Sequence, residues 1–373
     1  MGSVHSYTLS NGDRRWRIAY RKPNHKQATE RGFTRKRDAE LRLAEVEVSK
    51  GRGEFVSLED GRVTISQLGI GWLAAKKGTL KPSTYSTLET SWRIHVKPQW
   101  GMRTISSLRH SEIQGWVSSF QKSATVVSRA YGILAGILDS AERDRRISSN
   151  PARGVTLPRK TITKERRYLT HAELWTVAKH AGTHGAHVLT LGYCGLRWGE
   201  SIALRVTDID FEKKRINVFR NVVEVNGSFH EGTTKTHEAR RVPVPDAVLT
   251  ELALVVAGKQ PTALVFDNGF GGFMRRVRAS KDSKSWWKTA LDDAGVPRMV
   301  LHDLRHTAAS LAVSSGANVK AIQRMLGHSS AAMSLDVYAD LFEDDLESLT
   351  ARMNQAIAST NVVTVLSQAT FEN

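Results

Sequence analysis

The chain has 373 residues, 40% of them hydrophobic, with 54 Lys+Arg against 37 Asp+Glu and a formal charge of +17. That length predicts two or three domains, and the apolar content excludes wholesale disorder. No run approaches the ~20 apolar residues of a membrane span, and Met1–Ser10 shows no basic segment leading into an apolar one. A single cysteine, Cys194, excludes an intramolecular disulfide framework and a Cys-based zinc site. A soluble, cytosolic, multidomain protein is expected, with no membrane partner.

The first 63 residues read as a small sheet plus a helix. Arg15–Arg21 alternates, with Trp16, Ile18 and Tyr20 on one face and Arg15, Arg17 and Arg21 on the other. Asn11-Gly12 predicts a hairpin turn to a strand near Ser6–Leu9, and a third strand is expected at Gln27–Phe33. Thr34 is the expected cap of a helix carrying Ala39, Leu43 and Val46 and ending at Gly51. The arginine face suits a DNA groove or plain solvation equally.

Residues 64–155 read as helical. Thr64 precedes Leu68, Trp72 and Leu73; a second pattern runs from Ser83 to a stop at Pro98 and Gly101. Ser111 is the expected cap of a third helix. The longest pattern holds Val127, Leu134 and Leu138 and ends in the basic run Arg143, Arg145, Arg146. Asn150-Pro151 breaks it, and a Pro-, Gly- and Thr-rich linker spans 156–165. Net charge is +5 over residues 1–63, +10 over 64–160 and +2 over 161–373. A middle segment holding more than half the excess reads as a footprint for a polyanion, most simply nucleic acid, with a solvated basic surface as the bland alternative.

From residue 166 helices mix with a short sheet. Thr170 with Glu173 forms a capping box. Val188–Leu204 reads as one helix holding Cys194, Arg197 and Glu200. Asp208–Val225 and Ala239–Val244 read as strands, with Asn226-Gly227 as the turn between them. Helices are expected at Trp286–Ala294, His302–Ser314, Val319–Leu326 and Met333–Asp340. The fold class expected is α+β and multidomain: a β-sheet-plus-helix module, an all-α bundle, and a mostly α domain with a small antiparallel sheet.

Several polar groups sit where a helical core should have none. They are Arg197 in Gly195-Leu196-Arg197-Trp198-Gly199-Glu200, His302 and Arg305 in His302-Asp303-Leu304-Arg305-His306, His328 after Leu326-Gly327, Tyr338, and Lys235 in a turn-like segment. Guanidinium groups clamp phosphate bidentately and offset charge on a five-coordinate transition state. Lysine and histidine move protons, and a tyrosine phenol can be a covalent nucleophile. The set requires no metal or cofactor. Taken singly, each has a structural reading: Arg197 as the ion-pair partner of Glu200, His302 as a satisfied helix histidine, Tyr338 as a core-edge aromatic, Lys235 as a solvated lysine.

These stretches, with Arg240-Arg241-Val242-Pro243-Val244, Leu326-Gly327-His328-Ser329-Ser330 and Asp336-Val337-Tyr338-Ala339, resemble in order and spacing the catalytic domain of tyrosine recombinases of the temperate-phage integrase type. The resemblance implies a catalytic domain at 166–348, a core-site-binding domain at 64–155, an arm-site-binding domain at 1–63 and a tail at 349–373 for inter-subunit contact. It implies Tyr338 as nucleophile forming a 3′-phosphotyrosyl bond, with Arg197 and Arg305 on the non-bridging oxygens. Lys235 would be the proton donor to the 5′-oxygen, His302 the acid/base partner, His328 a phosphate hydrogen-bond donor and Glu200 the support of Arg197. Arg15, Arg17, Arg21, Arg143, Arg145 and Arg146 are the expected DNA contacts.

The implied activity is integration and excision of phage DNA through a four-way junction, without metal or ATP. It would proceed in a homotetramer on core-type and arm-type sites in the bacterial cytoplasm and nucleoid, with a DNA-bending host factor and a directionality factor as accessory partners. A DNA-binding regulator on the same scaffold and a type IB topoisomerase are the rival readings. Three features are set aside: His180, His184 and His187 lack an acidic or cysteine neighbour for zinc, Cys194 reads as packing, and Gly269–Gly272 lacks the lysine of a phosphate loop.

Overall fold

The computed structural model describes residues 2–23, 25–52, 55–56, 59–159, 167–233, 239–277, 284–328, 330 and 345–359. Two compact units divide the chain, Met1–Thr163 and Lys164–Asn373.

The first unit opens with three antiparallel strands, β1 (Ser3–Thr8), β2 (Arg14–Arg21) and β3 (Gln27–Phe33), in the order β1-β2-β3. The hairpin closes through Gly12 at φ +86, whose N–H reaches Leu9 O at 3.0 Å. Ile18 and Tyr20 are buried under α1 (Lys36–Gly51) with Ala39, Val46 and Phe55, so the alternation of β2 is realised. Arg21 projects outward and Arg15 is drawn to Asp13 at 3.4 Å. The cap of α1 is Arg35, not Thr34: no side chain accepts from the first turn there.

Helices α2 (Ile65–Lys77), α5 (His110–Ser119) and α6 (Ala124–Arg143) build the second core of this unit. Thr64 caps α2 reciprocally with Gln67, as the sequence predicts. The second helical pattern stops at Gly101, as expected, but Pro98 does not break it: the path runs through α3 (Pro82–Ser91), a π-turn at Trp92–Val96 and α4 (Lys97–Trp100). Lys97 N–H reaches back five residues to Trp92 O, and this wider turn absorbs the hydrogen bond that Pro98 cannot donate. Ser111 is not the cap of α5 either; the Glu112 carboxylate accepts the Arg109 N–H at 3.0 Å and so seals that end.

The second unit centres on α8 (Gly185–Cys194), which lies against α7 (His171–His180), α10 (Asp246–Val256) and α12 (Asp303–Ser314). Val188, Leu189, Leu191 and Cys194 of α8 are buried with Leu304, Ala308 and Leu252. The Thr170–Glu173 capping box on α7 is present. The predicted helix Val188–Leu204 is broken: Gly195 takes the left-handed conformation, Arg197 is extended, and a single turn, α9 (Trp198–Ser201), follows. Arg197 is therefore the cap of α9 rather than a residue inside a helix.

The strand expected at Asp208–Val225 is three strands, β4 (Ile209–Asp210), β5 (Arg215–Val218) and β6 (Arg220–Val225). Asp210 Oδ1 accepts the Lys213 N–H at 2.8 Å and turns the chain between the first two. Asn226-Gly227 joins β6 to β7 (Ser228–Thr233) as a hairpin, a partner strand the sequence reading lacked. β8 (Arg240–Pro243) pairs with β5, giving the order β4-β5-β8. Helix α10, capped by Pro245, was also unforeseen. Then come α11 (Trp286–Asp293), α12, α13 (Val319–Leu326) and α14 (Asp345–Ser359). The helix expected at Met333–Asp340, with Tyr338, and the segment with Lys235 lie outside the described residues. No described helix is long and apolar enough to cross a membrane.

Candidate active site

The site assembles where α13 ends. Asn318 caps its start and Gly327, at φ +65, ends it, leaving the last carbonyls without helical partners. Arginines meet three of these in a row. Arg240 Nε donates to Met325 O at 2.9 Å, Arg305 Nη2 to Leu326 O at 2.5 Å, and Arg197 Nη2 to Gly327 O at 3.2 Å. Cations are also what the negative end of a helix dipole favours. Three chain regions far apart in sequence thus converge on one helix terminus.

Arg305 is 3% exposed, and its Nη1 donates to Gly195 O at 2.5 Å. It therefore ties the end of α8 to the end of α13. Arg197 keeps about a quarter of its side chain exposed. Its Nη1 donates to Glu200 Oε1 and its backbone N–H to Oε2, both at 2.8 Å. Glu200 is fully buried and also accepts from Arg240 at 3.0 and 2.6 Å. Burial alone would raise the Glu200 carboxyl, yet Arg240 and then Arg197 hold it down at about 2. The structural reading of Arg197 as partner of Glu200 is thus realised, and it coexists with an exposed guanidinium edge.

His302 caps the start of α12, with His306 edge-on at 5.6 Å. Desolvation of its ring, then the charges of Arg305, Arg276 and Arg197, lower its pKa, with Asp303 opposing. His328 follows Gly327; its N–H reaches Gln323 O at 3.1 Å and Gln323 Nε2 returns to His328 O at 3.2 Å. Burial first, then Arg305 and Arg197, push its pKa down to about 4. Both shifts favour the neutral imidazole, which can donate a hydrogen bond from one ring nitrogen and accept a proton at the other. A cleft of about 650 Å³ opens beside His328 and Gly327, with Arg240, Arg241 and Arg324 on its walls.

The structure therefore brings together Arg197, Glu200, His302, Arg305 and His328, while Lys235 and Tyr338 fall outside the described residues. Arg143 and Arg145 are exposed at the end of α6, and Arg146 lies 3.9 Å from Asp144. Arg240 was missed as a site residue. Its signal was present in the Arg240-Arg241-Val242-Pro243 stretch, but nothing in sequence says that it reaches residues 85 positions away.

The features set aside have packing explanations. His187 is buried between Trp198 and Phe266; its Nε2 meets Ser201 Oγ at 2.8 Å and burial takes its pKa to about 3. His184 stacks on Trp286 at 4.2 Å. Burial pushes the Cys194 thiol up to about 12. In Gly269–Gly272 the N–H groups are taken by Asp267 and Asn268.

A helical core around a small antiparallel sheet, with arginines, histidines and a glutamate gathered at one helix end, is the arrangement that the resemblance to tyrosine recombinases implies. The model of the phage integrase family matches residues 167–344, and that of the phage integrase N-terminal SAM-like domain matches residues 64–121. Together they span well over half of the chain, which belongs to the phage integrase family, the tyrosine recombinases. Its activity is site-specific DNA recombination.

The chain is 28% identical over 283 residues to the integrase of Mycobacterium phage FRAT1, covering 73% of this chain and 83% of that one. Its fold is similar to that of the Tn1549 transposon integrase in complex with a circular intermediate DNA. There the TM-score is 0.64 at 21% identity, over 79% of this chain and 99% of the other. It is also similar to a lambda integrase tetramer bound to a Holliday junction. The TM-score is 0.53 at 15% identity, over 87% and 96% of the two chains.

Proposed function

We propose that Tyr338 attacks a scissile phosphodiester of double-stranded DNA, its oxygen bonding to phosphorus as the 5′-oxygen leaves. Arg197 and Arg305 hold the non-bridging oxygens, and Lys235 gives the departing oxygen its proton. His302 takes the proton of the tyrosine, and neutral His328 donates a hydrogen bond to the phosphate. Glu200 keeps Arg197 in place. The 3′-phosphotyrosyl bond conserves the energy of the broken one, so a 5′-hydroxyl from another duplex reverses the step without ATP. Two such exchanges through a Holliday junction integrate or excise phage DNA.

The single observation carrying this reading is the convergence of Arg197 and Arg305 on the end of α13, beside His328. Residues 166–348 act as the catalytic domain and 64–155 hold the core-type site, with Arg143, Arg145 and Arg146 on phosphates. Residues 1–63 hold the arm-type site through Arg15, Arg17 and Arg21, and 349–373 reach a neighbouring subunit of a homotetramer. A DNA-bending host factor and a directionality factor assist, and the reaction takes place on the nucleoid in the bacterial cytoplasm. The neighbours solved on DNA and as a tetramer support the DNA and oligomer parts of this reading.

The test uses nicked suicide duplexes built from the sequences flanking the gene. A covalent adduct that forms with EDTA present and vanishes in Tyr338→Phe is expected. Tight occupancy of a site without any adduct would favour a DNA-binding regulator, and adducts that never join to a second duplex would favour a topoisomerase.

A further inference from the structure

Arg240 has no part in the chemistry above, yet three hydrogen bonds anchor it within the site. We propose that Arg240 is a positioning residue for phosphodiester cleavage, acting on the phosphate through Glu200 and Arg197 and through the end of α13. The inference rests on the recombinase reading of this site.

Arg240 has the reach for this role. From β8, one guanidinium spans Glu200 Oε1, Glu200 Oε2 and Met325 O at 3.0, 2.6 and 2.9 Å. Its side chain is only 10% exposed, and its Nε, Nη1 and Nη2 all donate to protein acceptors. Arg197 is its opposite: about a quarter exposed and joined to the same carboxylate. Two guanidinium groups this close repel each other, and the buried carboxylate between them holds both at fixed positions.

Without Arg240, Glu200 keeps Arg197 as its cationic partner in the described site. The carboxylate then swings toward Arg197 and draws the guanidinium from Gly327 O. The second path runs through α13. Met325 O, Leu326 O and Gly327 O are consecutive, so releasing the first loosens the backbone that seats Arg305, Arg197 and His328. Gly327 fits the same scheme, since a Cβ there would meet Arg240 Cδ at 3.0 Å. The chain leaves that space to the arginine. Lysine cannot replace it, because one ammonium on a single stem does not span two carboxylate oxygens and a carbonyl in a plane.

The test compares Arg240→Ala and Arg240→Lys with wild type, as full-length protein, on a suicide duplex that wild type cleaves. A second duplex carries a neutral methylphosphonate at the scissile position. If Arg240 serves the arginine clamp, its removal matters where the clamp must offset charge. Adduct formation on the phosphodiester should fall about 100-fold in Arg240→Ala, with DNA affinity within about threefold of wild type and an unchanged circular dichroism spectrum. On the methylphosphonate the deficit should shrink to about fivefold. Arg240→Lys should show the same contrast with a smaller deficit, and it carries the test if Arg240→Ala does not fold. Equal deficits on both duplexes would mean a general defect and overturn the proposal, as would a phosphodiester rate within about threefold of wild type. If wild type forms no adduct on any flanking sequence, the recombinase reading of the site itself falls.

Discussion

Arg305 and Gly195 lie 110 residues apart and are joined directly, Nη1 of the buried guanidinium donating to the glycine carbonyl at 2.5 Å. The bond exists because Gly195 ends α8 in the left-handed conformation, φ +62, which turns its carbonyl out of the helix. A Cβ at this position would also meet Leu326 Cδ2 at 2.6 Å and Ala308 Cβ at 3.3 Å. Gly195→Ala therefore combines left-handed strain with overpacking against Leu326, whose carbonyl Arg305 also holds. It should cost about 2–3 kcal/mol of stability and should slow covalent adduct formation more than it weakens DNA binding. Urea melts and adduct rates on one suicide duplex measure the two effects separately.

How much of this was legible beforehand depends on the range of the interaction. Local chemistry was: the Thr64 and Thr170 capping boxes and the helix end at Gly327 stand as the sequence predicts, as does the turn at Asn226-Gly227, though it leads into β7 and not into the strand at Ala239–Val244. Long-range contacts overrode local pattern elsewhere. The apolar run Val188–Leu204 has helical periodicity, but Gly195 breaks it so that Arg197 can face Gly327 O. Pro98 is a breaker by propensity, yet the π-turn before it carries the helix through. The residues of the site were legible as types and spacings. Their arrangement around the carbonyls of α13 was not, because backbone acceptors leave no trace in a side-chain motif.

Glu200 gives a prediction with a defined pH course. Its carboxyl titrates at about 2 in the folded chain, below the ~4.3 of an unfolded glutamate. The depressed value means that the ionised, doubly paired state stabilises the fold above about pH 5, and that this contribution disappears as pH falls toward 2. Glu200→Gln should lower the stability of the second unit by about 3 kcal/mol at pH 7. The difference from wild type should narrow steadily from about pH 5 to about pH 3. Urea unfolding across that range decides it; a gap that does not change with pH would show that the effect is steric.

His187 titrates in the same sense but over a higher pH range. Buried beside Trp198 and Phe266, it has a pKa of about 3 against about 6.5 when unfolded. The unfolded chain therefore binds a proton that the native chain refuses, and stability falls as pH drops below about 6.5. One such histidine contributes a slope of about 1.4 kcal/mol per pH unit between about pH 6 and pH 4. His187→Phe keeps a ring in the stack and removes the titration. Its unfolding free energy should depend less steeply on pH than that of wild type by about that amount. At pH 7 it should be the less stable of the two, having given up the bond to Ser201 Oγ.

The basic end of α6 offers the last prediction, which concerns binding alone. Arg143 and Arg145 are exposed, and Arg145 sits at φ +56 in the turn that closes the helix, directly before Arg146. Three guanidinium groups at one helix end complement its dipole and can reach successive phosphates. Each phosphate neutralised releases counterions, so affinity falls with salt in proportion to the number of phosphates engaged. Replacing Arg143, Arg145 and Arg146 by glutamine should reduce the slope of log affinity against log salt by about 1 for each phosphate no longer neutralised, up to about 3 in the triple variant. The weakening should be nearly the same for the cleavage site and for unrelated duplex, because phosphate contacts carry little sequence information. Adduct formation at saturating protein should stay close to wild type, since these arginines lie outside the unit that holds Arg197 and Arg305. Fluorescence anisotropy at a series of salt concentrations tests this, and an unchanged slope in the triple variant would remove the end of α6 from the DNA interface.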